Sequence, residues 1–233
     1  MKTIEPEMTV GDIVRAAPAR SRIFEELGID YCCGGERPLA EACRAKGVDP
    51  ATVTAMLRAL DDRPDPEMVD PEAMSLPELC DHIVRVHHAY LREELPRLDL
   101  MTRQVVAVHG LQKPGVIEIR RVFEIFSQGM AAHAIEEENS VFPMISRLAT
   151  TEEGRTSTPS ALKVALEKLE KEHAAAGAEL KQFRELTHDY APPEWACNTV
   201  RALYDRLERL EKDTHQHVHK ENNVLFPRAL AAV

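Results

Sequence analysis

Apolar residues recur at the i, i+3, i+4, i+7 spacing of amphipathic helices over four long stretches. The first stripe is Val84, His88, Leu91, Leu95 and Leu98, in a helix predicted from Ser75 to about His109. Ser75 and Glu78 form a capping box at its start, and Pro96 is a point for a kink. The second stripe is Val122, Phe126, Gly129, His133, Glu137 and Ser140, in a helix over about 116–148. The third is Leu162, Leu166, Leu169, His173, Ala176 and Leu180, over about 160–188. The fourth is Leu203, Leu207, Leu210, Thr214, His217 and Glu221, with Leu225 beyond, in a helix from Pro192 or Pro193 to about Asn222. The breaks H-G-L-Q-K-P-G, A-T-T-E-E-G-R-T-S-T-P-S and D-Y-A-P-P-E separate them. Four helices joined this way predict an all-α, up-down-up-down four-helix bundle over 75–233.

Ahead of the bundle, residues 61–74 are rich in proline and acid and read as a linker. Residues 1–60 then form a small helical domain, with helical stretches Thr9–Leu27 and Pro38–Lys46 on either side of G-I-D-Y-C-C-G-G. Gly28 has the position of a helix C-cap, and Gly34 and Gly35 let the backbone turn tightly after Cys32 and Cys33.

Composition narrows the classes. The 233 residues are 44% hydrophobic and 29% charged, which fits a globular chain. A net charge of -10 argues against nucleic acid, whose phosphates need a basic surface. No apolar run approaches the roughly 18–20 residues of a membrane span, and the first residues lack the apolar core of a signal peptide. With five cysteines, an odd number, the expectation is reduced thiols in the cytoplasm. Nothing in the sequence separates a monomer from a homodimer.

A repeat then singles out particular residues. His133 to Pro143 reads H-A-I-E-E-E-N-S-V-F-P, and His217 to Pro227 reads H-V-H-K-E-N-N-V-L-F-P. Both fit H-x3-E-x-N-x2-F-P, and helix periodicity alone demands none of His, Asn or Pro. A duplicated helix pair explains it. His173 on the third helix then corresponds to His88 on the first. The interval from His88 to His133 is 45 residues, and from His173 to His217 it is 44.

Six polar residues thus lie on apolar stripes: His88, His133, Glu137, His173, His217 and Glu221. A lone histidine there is normally a core residue satisfied by hydrogen bonds. Two buried carboxylates change that reading, because burying an unpaired ionised Glu costs several kcal/mol or more. No Lys or Arg lies on these stripes to neutralise them. A metal cation would, and His and Glu at i and i+4 can reach one centre. Four imidazoles and two carboxylates exceed the roughly four donors of one tetrahedral zinc, so two metals sharing both glutamates fit better. Donors without thiolates suit iron or manganese. A ferritin-like site needs Glu-x-x-His twice; Glu170 and His173 have that spacing, but Arg85 stands at the corresponding place before His88. The other histidines, 82, 87, 109, 188, 215 and 219, read as surface residues or as supports of the ligands, with His215 and His219 facing solvent.

D-Y-C-C-G-G at 30–35, followed by H-x3-E at 133–137, E-K-E-H at 170–173 and H-V-H-K-E-N-N-V-L-F-P-R-A-L at 217–230, resembles the Repair of Iron Centres family over nearly the whole chain. The resemblance implies a haemerythrin-like bundle. It also implies two non-haem iron ions with an oxo or hydroxo bridge, held by the four histidines and two bridging glutamates already named. It implies restoration of iron–sulfur clusters damaged by nitrosative or oxidative stress, with damaged iron–sulfur proteins as clients. Cys32 and Cys33 carry the family's double-cysteine motif and would act in redox or iron transfer. Two other readings stand beside repair: an enzyme reducing nitric oxide, and a reversible carrier or sensor of O2 or nitric oxide. The sequence departs from the family pattern after His173, where Ala174 stands in place of an acidic residue.

Overall fold

The computed structural model describes residues 4–61, 69–151 and 159–232. Half of the predicted linker, residues 62–68, and the middle of the predicted loop before the third bundle helix lie outside the described residues.

The N-terminal stretch predicted as one helix is broken by Pro18. It forms α1 (Val10–Ala16), a single 3-10 turn (Pro18–Arg20) and α2 (Ser21–Glu26). Thr9 caps α1 by accepting from the Asp12 N–H at 3.1 Å. Gly28 has φ +62 and ends α2 in the left-handed conformation that its lack of Cβ allows. After the cysteine turn come α3 (Leu39–Lys46) and α4 (Pro50–Asp61); α4 was not anticipated. Ile13, Phe24, Tyr31, Leu39 and Leu57 fill the core of this unit.

Four long helices follow. The first, α5 (76–109), starts at the predicted Ser75–Glu78 capping box and runs through Pro96. Next is α6 (115–150), then α7 (Pro159–Thr187). The last, α8 (198–231), starts at Asn198 rather than Pro192 or Pro193 and continues past Asn222. Its late start follows from three consecutive left-handed residues, His188, Asp189 and Tyr190, which lead the chain away from α7 before it turns. α5 packs on α6, α6 on α7, α7 on α8 and α8 on α5, closing an up-down-up-down bundle. Among the described residues there is no strand, only one isolated bridge between Thr9 and Pro38.

Three helices carry a π-helical turn: Val84–His88 in α5, Glu137–Val141 in α6 and Glu221–Leu225 in α8. The last two coincide with the repeat. Pro143 and Pro227 have no N–H to give and would crowd the carbonyls of Asn139 and Asn223, four residues back. Widening the turn relieves that clash. It also moves the buried face by one position. Ser140, placed on the stripe by simple periodicity, is exposed, while Val141, Phe142 and Ile145 are buried. Upstream of the widened turn, Gly129 is exposed and Met130, four residues after Phe126, is buried in its place.

The bundle has two apolar layers. One holds Leu98, Phe123, Phe126, Phe183 and Leu207; the other holds Leu79, Ile83, Ile145, Leu166 and Leu225. A polar layer lies between them.

Candidate metal centre

The polar layer contains all six residues of the predicted constellation. His88, His173, His217, Glu137 and Glu221 are fully buried, and His133 is 2% exposed. They form two overlapping groups: His88, Glu137, His217 and Glu221, and His133, Glu137, His173 and Glu221. Each glutamate serves both. Glu221 presents Oε1 to His217 Nε2 at 2.9 Å and Oε2 to His173 Nε2 at 3.0 Å. Glu137 Oε2 lies 3.2 Å from His88 Nε2, 3.3 Å from His133 Nε2 and 3.8 Å from His217 Nε2.

The outer ring nitrogens explain which atoms face inward. His88 Nδ1 donates to Glu138 Oε1 at 2.8 Å, His133 Nδ1 to Glu172 Oε2 at 2.9 Å, and His173 Nδ1 to Asn222 Oδ1 at 2.8 Å. With the proton on Nδ1, each Nε2 turns a lone pair to the centre. His133 Nε2 and His173 Nε2 then meet at 3.0 Å. Two lone pairs at that distance repel unless a proton or a metal cation lies between them. Glu137 Oε1 and Glu221 Oε2 are buried without a hydrogen-bond partner among the described residues, a costly state for carboxylate oxygens unless a cation takes them.

The electrostatics agree. Burial alone would lower His133 and His217, but Glu137 and Glu221 overcome it, raising His133 to about 11 and His217 to about 9. Burial pushes the two glutamates the other way, and the facing imidazoles hold both below the usual carboxylate range. In the bare chain, protons occupy the places that cations would take. The donor set therefore fits two hard or borderline cations sharing both carboxylates.

Within each duplicated helix pair, the second helix closes over the histidine of the first. Phe142 stacks on His88 with centroids 5.8 Å apart, and Phe226 stacks on His173 at 5.9 Å. The residues after the shared glutamates, Glu138 and Asn222, orient those same two histidines. Sequence reasoning missed Glu138, Glu172 and Asn222, although two of them occupy corresponding places in the repeat.

Three other histidines are not surface residues. His82 and His87 are buried, and His219 is 4% exposed. His87 stacks on His217, with centroids 5.3 Å apart and planes 2° from parallel. His215 and His219 turn towards Tyr31 of the N-terminal unit, at 6.1 and 5.4 Å, instead of facing solvent. Helix periodicity shows that they flank the stripe; it cannot show that another domain covers that flank.

That domain brings the cysteine pair to the centre's edge. Cys33 Sγ lies 3.4 Å from the carbonyl oxygen of His173. His219 Nδ1 reaches the Tyr31 carbonyl at 3.3 Å, and Asn223 donates to the Cys32 carbonyl at 3.2 Å. Asp30 accepts from the N–H groups of Cys32, Cys33 and Gly34 at 2.9–3.0 Å, shaping the turn. The two sulfurs are 3.9 Å apart, and both thiols are free. The hydrogen bond to Cys33, and then burial, hold the Cys32 thiol well above its ordinary value. Cys33 is exposed and opens on a cavity of about 260 Å³ between the domains, lined in part by Arg37, Lys46 and Lys181.

Comparison with known proteins accords with both halves. Residues 81–229 match the hemerythrin HHE cation-binding domain, and residues 6–61 match a domain of unknown function, DUF542 or ScdA_N. The chain is 34% identical to the iron-sulfur cluster repair protein ScdA of Staphylococcus haemolyticus, over 96% of this chain and 98% of that protein. It is also 34% identical to the iron-sulfur cluster repair protein YtfE of Escherichia coli O157:H7, over 97% of each. The chain belongs to the Repair of Iron Centres family. A haemerythrin cation-binding domain forms most of its length, and its histidine–glutamate groups are suited to iron. No helix among the described residues is long and apolar enough to cross a membrane.

Proposed function

We propose that this chain is a di-iron protein that repairs iron–sulfur clusters damaged by nitrosative or oxidative stress. The observation that carries the di-iron reading is the pair of overlapping four-residue groups that share Glu137 and Glu221. His88 and His217 would hold one iron, His133 and His173 the other, with an oxo or hydroxo bridge completing the centre. Iron bound there would supply a redox-active Lewis acid for chemistry with nitric oxide or O2.

The chain's own residues set the terms of that chemistry. The apolar layers on both sides keep water out and strengthen every charge interaction within. Glu138, Glu172 and Asn222 lock three imidazole tautomers. Cys33 lies against the backbone carbonyl of the ligand-bearing His173 and in contact with solvent, where its sulfur can take part in handing iron to a damaged iron–sulfur protein. An alternative, reduction of nitric oxide, draws support from a cavity of about 420 Å³ between α5 and α6. It is lined mainly by apolar groups and reaches His88 and Glu138, a path suited to a small apolar gas.

Metal content after anaerobic purification tests the centre, with two irons per chain expected. Glu137→Ala and Glu221→Ala should each lose at least one iron, and retention of both irons in both variants would show that the shared-carboxylate assignment is wrong. Recovery of a nitrosylated iron–sulfur protein tests repair. It should occur with the intact chain and fall in Cys32→Ser/Cys33→Ser, which keeps its bundle iron. Catalytic turnover of nitric oxide with a reductant, without cluster recovery, would favour the alternative.

A further inference from the structure

The two halves of the centre are built from one repeat, yet their surroundings differ. In the half formed by His133 and His173, both outer nitrogens are engaged, by Glu172 and Asn222. In the half formed by His88 and His217, only His88 is engaged, by Glu138. The Nδ1 of His217 is buried and has no hydrogen-bond partner among the described residues.

The cause is legible in the repeat. His133 is oriented by the residue just before His173, which is Glu172. The corresponding residue before His88 is His87. His87 cannot do the same work, because both its nitrogens are used elsewhere. Nδ1 pairs with Asp213 at 2.9 Å, and Nε2 accepts from Lys220 at 2.7 Å. Its ring lies flat on His217 instead of accepting from it. Lys220 adds a second difference. It stands three residues after His217, where the other half has Glu136 three residues after His133. A partly buried ammonium thus stands in one half where the other has a carboxylate already paired with Lys168. The orienting carboxylates do not offset this, since each is itself paired: Glu138 with Arg92 at 2.7 Å and Glu172 with Lys168 at 3.4 Å.

From this asymmetry we infer that the two metal positions are unequal, the one at His88 and His217 being the weaker and the source of transferable iron. The inference rests on the di-iron reading above and names which iron is the cargo. An outer partner on a ligating imidazole raises its basicity and fixes its direction, and losing one costs metal affinity by roughly 10–100-fold. Lys220 lowers cation affinity at the same position by direct repulsion. His87 is accordingly a positioning residue, acting on the metal through His217.

The test is the rate at which the full-length, ferrous-loaded chain gives up iron to a strong ferrous chelator without oxygen. Two phases of one iron each are expected, separated by at least about ten-fold. His87→Glu supplies the missing acceptor and should slow the fast phase towards the slow one. Glu172→Gln should accelerate the slow phase and leave the fast phase in place; it keeps the test decisive if the buried His87→Glu does not fold. A single release rate for both irons would overturn the inference and leave the di-iron reading standing. So would a fast phase that responds to Glu172→Gln and ignores His87→Glu. A chain that binds no iron would overturn both. Two-phase release without any cluster recovery would leave the unequal positions standing and remove only the repair role.

Discussion

At the scale of single residues, the centre is a contest between protons and metal for the same lone pairs. His133 is raised to about 11 and His217 to about 9 by the carboxylates they face, so both are protonated at neutral pH in the metal-free chain. Metal must displace those protons. Affinity should therefore fall as pH falls, by about two protons' worth, or about 100-fold per pH unit near neutrality. Above about pH 9 the His217 proton is gone and the dependence becomes shallower. Competition with a chelator of known pH behaviour would measure this, and a flat profile from pH 6 to 8 would contradict the proton-filled picture. The same shifts bear on the stability of the metal-free chain. A histidine whose folded value lies above its unfolded value stabilises the fold at low pH and loses that effect as pH rises through the folded value. The bare chain should thus melt at progressively lower temperature as pH rises from about 6.5, the ordinary histidine value, to about 9, and metal should remove that sensitivity.

At the scale of elements, the repeat H-x3-E-x-N-x2-F-P is an instruction for a helix turn as much as a ligand set. The proline widens the turn, the glutamate starts it, and the phenylalanine reaches across to stack on a histidine of another helix. The asparagine shared by the two copies of the repeat serves two different purposes. Asn223 holds the Cys32 carbonyl, whereas Asn139 is exposed and bonds the Ile135 carbonyl of its own helix. Phe226 is 1% exposed and Phe142 4%. Truncating either to Ala should cost about 3–5 kcal/mol of unfolding free energy, the usual range for buried Phe→Ala. Denaturant melts of the metal-free variants would read this, and a loss below about 1 kcal/mol would mean the stacked rings carry little packing.

At the scale of the whole molecule, the N-terminal unit is fastened onto the ligand-bearing turn of α8. Val218, next to His217, joins the core of that unit. Gly11 and Gly35 permit the approach, since a Cβ would lie 2.5 Å from Asn223 Oδ1 at Gly11, and 2.7 Å from it at Gly35. Gly35→Ala should push the cysteine turn off the bundle while leaving the bundle folded. Labelling of Cys32, buried in the intact chain, should then speed up several-fold with a thiol reagent. An unchanged rate would show that the turn tolerates a side chain there. Gly177 fits the same picture, because a Cβ there would meet Cys33 Sγ at 3.4 Å. Close by, Ala174, the residue after His173, carries no acid. The acids that engage the ring nitrogens, Glu172 and Glu138, lie elsewhere.

The sequence by itself determined the four helices, the all-α bundle and the six inward polar residues. Those features follow from local periodicity and from a duplicated pattern, both of which are written residue by residue. The start of α8 eluded it, because the left-handed run at 188–190 leaves no compositional mark as strong as Pro192 and Pro193. So did the shift at Ser140, since a widened turn breaks the constant period that such reading assumes. Only the tertiary structure decided that His87 stacks on His217, that His219 faces the N-terminal unit and that Cys33 touches the backbone of His173. Each is a contact between residues more than 120 positions apart in the chain, or between two domains. Spacing along one helix fixes the face a side chain shares; what stands opposite that face is set by how the helices and the small domain pack together.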